Sequence, residues 1–181
     1  YQSIDGIKHL IPEFIDQTAK RIIEQKYSLV GFNLNFHTVP CLSISKRIKE
    51  LSPETKIIFG GSNCDNEMGL ALHDCFPWVD FVCRGEGENL IVEVAKKIKE
   101  NKSFDEVKGL IWRRNGKSIA NGDKTDTITN LDSVPVPDFD DWALKCEIHG
   151  IKIDSNELIL PFESSRGCWH GAKSRCIFCG L

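Results

Sequence analysis

Three cysteines, Cys168, Cys176 and Cys179, fall close together in "SSRGCWHGAKSRCIFCGL" near the end of the chain. A C-x7-C-x2-C spacing puts three soft ligands within loop reach of one metal centre, and thiolates select zinc or iron–sulfur clusters. Three readings compete. With His170 as a fourth ligand the set would close a tetrahedral structural zinc site. Without it, three thiolates on a four-iron cluster leave one iron free of protein ligands, an open position where a substrate can chelate. Otherwise they are free structural thiols. Position favours the cluster, because "ELILPFESSRGC" reads as a strand that delivers the cysteines as the first βα loop of a new α/β domain. Cys41, Cys64, Cys75, Cys83 and Cys146 have no ligand spacing and read as buried apolar thiols.

A second group of candidates lies on three loops: "NLNFH" with Asn33, Asn35 and His37, "GGSN" with Gly60, Gly61 and Ser62, and "GEGE" with Gly85, Glu86, Gly87 and Glu88. Each follows a stretch that reads as a strand. In an open α/β sheet, ligands bind beyond the carboxyl ends of the strands. Glycines there let the backbone approach a ligand and leave amide N–H groups free to donate, which suits a phosphate or the flat edge of a large cofactor. Each motif alone is also explained as a turn. Three on one edge favour a ligand edge.

The elements that must position these loops alternate. Ile11, Phe14, Ile15, Ile22 and Ile23 recur at helical spacing, so residues near 12–26 form an amphipathic helix with Pro12 in its first turn. "YSLVGFNLN" is a buried strand, and a helical stripe of Leu42, Ile44, Ile48 and Leu51 stops at "SPE". "KIIFGG" is a strand, residues 65–75 a helix, "WVDFVC" a strand, and "NLIVEVAKKIKEN" a helix with its cations toward the C-terminal end. Short apolar strands separated by helices imply a parallel sheet covered on both faces, a Rossmann-like (flavodoxin-like), doubly wound α/β architecture. "GLIWRRNGKSIA" is a β-hairpin about Asn115-Gly116. The polar, Pro-containing stretch after it reads as a linker.

The 181 residues carry 41% hydrophobic and 27% charged side chains and a net charge of −3, ordinary for a water-soluble domain. No basic stripe suggests a nucleic-acid partner, and no apolar run approaches the roughly 20 residues that span a bilayer. Eight cysteines without a secretory signal point to reduced thiols in a cytoplasmic protein. A chain that lacks an initiator Met and stops just after its cysteine loop is expected to be a fragment, with an exposed sheet edge through which it self-associates.

"KIIFGG", "GEGE", the hairpin, "SVPVPDFDDW" and the cysteine loop, in this order, resemble the cobalamin-dependent radical S-adenosylmethionine (radical SAM) enzymes. "FESSRGCWHG", followed by Cys176 and "FCGL", is most similar to radical SAM proteins that mature ribosomally made peptides; anaerobic magnesium-protoporphyrin ester cyclases share the domain order. The resemblance implies a cobalamin-binding-type α/β domain over 1–121, lacking its first strand and helix, a linker over 122–157, and the start of a radical SAM barrel, with its first strand and cluster loop, over 158–181. It implies a 4Fe-4S cluster on Cys168, Cys176 and Cys179, with Phe178 over S-adenosylmethionine, and cobalamin over the glycine loops.

A D-x-H-x-x-G motif is absent. Its nearest counterpart, "NFHTVP", has Asn35 and Pro40 at the Asp and Gly positions, so His37 reads as a loop histidine and not as an axial cobalt ligand. The implied activity of the whole enzyme is C-methylation or another modification at an unactivated carbon of a peptide or other natural product. Its partners are that peptide or small-molecule substrate and an electron donor such as flavodoxin or ferredoxin; the fragment alone would be inactive. The alternatives are an oxidative porphyrin-ester cyclase-like activity and a non-catalytic cofactor-binding module with a structural zinc tail.

Overall fold

The computed structural model describes residues 6–152, 158–161, 163–174 and 176–177. Pro12 opens helix α1 (Ile11–Glu24), where a missing N–H costs nothing. Strand β1 (Leu29–Asn33) leads to α2 (Thr38–Leu51), which starts before the apolar stripe because Pro40 is tolerated in a first turn. Then come β2 (Lys56–Gly60), a 3-10 turn at Ser62–Cys64, α3 (Asn66–Cys75), β3 (Phe81–Cys83) and α4 (Glu88–Glu100). The hairpin β4 (Leu110–Arg114) and β5 (Lys117–Ala120) turns on Asn115 and Gly116, both at positive φ, as a two-residue primed turn requires.

The five strands form one sheet in the order β1-β2-β3-β4-β5. The first three are parallel; the hairpin joins the same sheet antiparallel to β3, with Val82 opposite Ile111. Strand alternation then sorts the core into two faces. Ile57, Phe59, Val82 and Ile111 point to one side and pack with Ala19, Ile48 and Leu72 of α1, α2 and α3. Ile58, Phe81, Cys83, Leu110 and Trp112 point to the other and pack with Leu90 and Val94 of α4. The expected α/β sheet with helices on both faces is what the chain forms. Arg47 ties α2 to α1 through Asp16 at 2.8 and 2.6 Å.

His73, fully buried on α3, cross-links the sheet. Its Nε2–H donates to the Asp80 carbonyl at 3.1 Å, which leaves Nδ1 to accept from the Ser118 hydroxyl at 2.7 Å. Burial, with the Arg113 charge nearby, pushes the imidazole below its usual 6.5. Above that value both folded and unfolded states are neutral. As pH falls through it, the unfolded chain takes up a proton that the folded chain resists, so stability declines on acidification. Urea midpoints taken at about pH 7.5 and about pH 5.5 should therefore fall further for the wild type than for His73→Gln. Equal declines would contradict this role.

The first compact unit runs on to Ile128, beyond the expected boundary at residue 121. The second unit, taken by itself, contains a 3-10 turn at Leu131–Ser133, α5 (Asp140–Ile148) and α6 (Trp169–Lys173). Helix α5 lies inside the stretch read as a linker. Asp138, two residues before the helix begins, accepts the Asp140 amide at 2.8 Å, and Asp140 and Asp141 place negative charge on its first turn. The strand read into "ELILPFESSRGC" is not formed over Leu158–Pro161, which carry no ladder among the described residues. A barrel strand depends on flanking strands to take up its backbone groups, and none pairs here. No helix among the described residues is long and apolar enough to cross a membrane.

Candidate functional site

The three candidate loops emerge side by side at the carboxyl ends of β1, β2 and β3, and the chain's own side chains latch them together. Asn35 is the first latch: its Oδ1 accepts the Ser62 amide at 2.8 Å and the Ser62 hydroxyl at 3.1 Å. Asn33 Oδ1 accepts the Asn35 amide at 3.0 Å, which shapes the turn that presents Asn35. Asn63 returns the contact by donating to the Asn35 carbonyl at 3.3 Å. Asp65, just past the 3-10 turn, accepts the Gly85 amide at 2.7 Å and so joins the second loop to the third.

These loops differ in what they leave open. A Cβ built on Gly60 would meet only Cys83 Cβ, at 3.7 Å, an ordinary contact. Phe36, 89% exposed, and Val39 stand out into solvent beside the first loop. His37 is exposed at the N-cap position of α2 and makes no capping bond with its side chain. The third loop is roofed by residues 121–128 of the same chain. The Thr125 amide donates to the Arg84 carbonyl at 3.0 Å, the space a Cβ of Gly85 would take is filled by Thr125 Oγ1, and Glu86 Oε2 accepts the Ile128 amide at 2.7 Å. Gly87 is the N-cap residue of α4, where an added Cβ would stand 3.7 Å from the Cys83 sulfur, and Glu88 is the first residue of that helix.

Arg84, buried where β3 ends, donates to the Gly122 carbonyl, and its Nε has no partner. Burial pulls its guanidinium below the ordinary value, against the opposing pull of Asp123 and Asp65. Neither Arg84 nor Asp65 stands out in the motifs. The signal for Arg84 was a lone cation set between an all-apolar strand and a glycine turn.

In the cysteine loop, Cys168 is exposed and caps α6, its sulfur accepting the Gly171 amide at 3.4 Å. Cys176 is half-buried. His170 lies edge-on to the Trp169 ring at 5.8 Å. Cys179 and Phe178 lie outside the described residues, so the third thiol and the aromatic expected over S-adenosylmethionine are not placed. Among the described residues no group of three His, Cys, Asp or Glu forms a metal cage.

The other thiols are mostly structural. Burial pushes Cys64 up to about 12 and Cys83 up to about 11, well out of the thiolate range at neutral pH. Cys146 is buried and Cys41 half-buried, whereas Cys75, the last residue of α3, is exposed, which corrects its reading as a buried thiol.

No family model matches the chain. It is 23% identical over 169 residues to the 4'-phospho-dehydrooxetanocin synthase of Priestia megaterium, covering 91% of this chain and 21% of that protein. It is 24% identical over 182 residues to the anaerobic magnesium-protoporphyrin IX monomethyl ester cyclase of a Synechocystis species, covering 93% of this chain and 33% of that protein. The chain thus spans a third or less of the length of these curated relatives. Among solved structures, the radical S-adenosylmethionine methyltransferase TsrM from Kitasatospora setae matches 59% of this chain at a TM-score of 0.51 and 21% identity. The α/β fold is shared with TsrM. The match takes in 21% of the TsrM chain in the structure with tryptophan and aza-SAM, and 22% in the one with cobalamin and a [4Fe-4S] cluster.

Proposed function

We propose that this chain is the cobalamin-binding and cluster-loop portion of a radical SAM enzyme that modifies an unactivated carbon of a peptide or other natural product. Methyl transfer is the favoured reaction. One observation supports the reading: 59% of the chain shares its fold with TsrM, whose structure holds cobalamin and a [4Fe-4S] cluster, and the same chain carries a cysteine loop.

The residues present suit those groups. Cys168 and Cys176 are thiols accessible to a metal, and the Gly171 amide already donates to the Cys168 sulfur, as hydrogen bonds around a ligating thiolate do. Cys179 completes the proposed set. At the sheet edge, Gly60 leaves an open face and Phe36 offers apolar surface to a flat macrocycle, while Asn33, Asn35 and Ser62 hold the first two loops at fixed spacing. Gly85 and Glu86 anchor residues 121–128, so the proposed cobalamin edge rests on the first two loops. Gly87 and Glu88 lie beside them at the start of α4. When bound, the cluster and S-adenosylmethionine supply a carbon radical that removes hydrogen from the substrate, and cobalamin supplies the methyl group. The protein's own part is to orient these groups and to exclude water. A small reductant protein such as flavodoxin or ferredoxin is the proposed electron donor.

Anaerobic reconstitution of the chain with iron and sulfide tests this. We expect a brown protein with about four irons per chain. Cys168→Ala and Cys176→Ala should each lose most of that iron while the far-UV circular dichroism of the α/β unit stays unchanged. One stoichiometric zinc and no iron, or full iron retention in both variants, would overturn the assignment.

A further inference from the structure

A cavity of about 330 Å³ opens at the other edge of the sheet, at the amino ends of β2 and β3 and beneath the last turn of α4. Its apolar wall is aromatic. Phe81, Phe104 and Trp112 line it, with ring centroids 4.8 Å apart for Phe81 and Phe104 and 5.7 Å apart for Phe104 and Trp112. Its polar lining is cationic: Lys56, Lys97, Lys102 and Arg113 face a single carboxylate, Asp80.

That carboxylate is already committed. Asp80 accepts the Ile57 amide at 2.9 Å and pairs with Lys49 at 2.9 Å and Lys56 at 3.3 Å. Lys102 is answered by Glu100 at 2.8 Å. Two cations are less fully answered. The Lys97 side chain is only 18% exposed, and among the described residues its ion pair is to Glu93 at 3.9 Å, near the limit of contact, with the Glu100 carboxylate also close enough to feel its charge. Arg113 has no carboxylate partner among the described residues. Its Nη2 donates to the His73 carbonyl at 2.6 Å and its Nη1 to the Gly116 carbonyl at 3.4 Å, both neutral acceptors.

The negative end of α4 does not account for this charge. The Asn101 amide donates to the Ile98 carbonyl at 3.2 Å and the Lys102 amide to the Lys97 carbonyl at 2.9 Å, so the closing turn already has internal donors. Arg113 lines the cavity with its two terminal nitrogens answered only by the neutral carbonyls of His73 and Gly116, so its charge has no anion beside it among the described residues. Lys97, which lines the same cavity, adds a second cation and asks that the ligand be negative, and guanidinium groups suit carboxylate and phosphate oxygens. The aromatic wall asks for an apolar body. The volume is at the small end of ligand pockets.

We infer that this cavity binds a small organic anion, an apolar or aromatic body carrying one phosphate or carboxylate that is held by Lys97 and Arg113. The site lies at the edge of the sheet opposite the proposed cobalamin loops, and the inference goes beyond the proposed function and does not depend on it.

Phenyl phosphate, inorganic phosphate and benzyl alcohol can be titrated calorimetrically into the 181-residue chain without cluster or cobalamin. Phenyl phosphate should saturate at one per chain and bind about tenfold or more tightly than either the anion alone or the neutral aromatic alcohol. Lys97→Met keeps the stem and removes the charge; it should weaken phenyl phosphate about tenfold, whereas Lys99→Met, on the exposed side of the same helical turn, should not. Circular dichroism checks that both variants fold. Arg113→Lys, which keeps a cation but loses the planar fork of donors, should also weaken binding. If water alone fills the cavity, no saturable heat appears and the inference fails. It fails too if Lys97→Met binds as the wild type does, or if Lys99→Met weakens binding as much as Lys97→Met.

Discussion

Gly69→Ala is expected to destabilise the α/β unit by about 3 kcal/mol, the upper range for forcing one carbon into a packed interior. Gly69 is a buried position on α3, and a Cβ there would lie 2.1 Å from the Cys64 carbonyl oxygen and 3.0 Å from its carbon. Both atoms belong to backbone and cannot swing aside as a side chain would. Relief requires α3 to move off the 3-10 turn at Ser62–Cys64. That turn ends beside Asp65, whose carboxylate holds the Gly85 amide, so the displacement would also loosen the link between the second and third loops. Ordinarily, replacing glycine by alanine inside a helix stabilises it by roughly 0.5–1 kcal/mol, so the predicted sign is opposite to helix propensity. Urea unfolding of the two proteins decides the matter. A Gly69→Ala chain as stable as the wild type would mean that α3 does not pack against Cys64 as described.

Gly61→Val carries the second large effect and acts in two ways. Gly61 sits at φ 100° and ψ 175°, a backbone region essentially reserved for glycine, so a valine there costs about 1–3 kcal/mol before any contact is counted. Its Cβ would also meet Asn35 Oδ1 at 2.6 Å and Asn33 Oδ1 at 2.7 Å, the same two oxygens that shape and latch the first two loops. The loss of stability should therefore come with a loss of hydroxocobalamin affinity of about tenfold or more, followed by absorbance. Gly60→Val separates the two effects. Its Cβ meets only Cys83 Cβ at 3.7 Å, and its φ is not in the left-handed region, so it should cost little stability while obstructing the open face. Wild-type affinity in both variants would contradict the proposed placement of cobalamin on the first two loops.

Much of this arrangement was legible in the sequence because it rests on periodicity and turn chemistry. "KIIFGG" and "WVDFVC" read as buried strands, and the hairpin about Asn115-Gly116 formed at the residues its dipeptide marks. The rule placing ligand loops at the carboxyl edge of a parallel sheet brought Asn35, Gly61 and Gly85 to one side, where the structure has them. What could not be read was how the loops are held. Gly61 looks like a place for a ligand to approach, whereas the space over it is taken by two asparagine oxygens of the same chain. Pairings such as Asp65 with Gly85 join residues distant in sequence and have no local signature. Helix α5 escaped notice because Trp142, Leu144 and Ile148 are all exposed and make no single apolar stripe; its acidic first turn was the available sign. His73 was missed because a lone histidine in a helix gives no hint that Ser118 and Asp80 will meet both its nitrogens. The residues at 158–161 are apolar enough to read as a strand, but a strand is completed by neighbours that no pattern within it supplies.

The roofing of the third loop bears on how this module can be exchanged between proteins. By composition, the natural place to cut and splice is after Ala120, where the polar stretch begins. A graft made there would leave behind the Gly122 carbonyl that receives the Arg84 guanidinium, the Thr125 amide that serves the Arg84 carbonyl and the Ile128 amide held by Glu86. A buried arginine would then face its new host with two of its contacts missing. The heritable unit, for a recombining genome or for a designer of chimaeras, ends at Ile128, and its last residues are cargo that must travel with the sheet they cover.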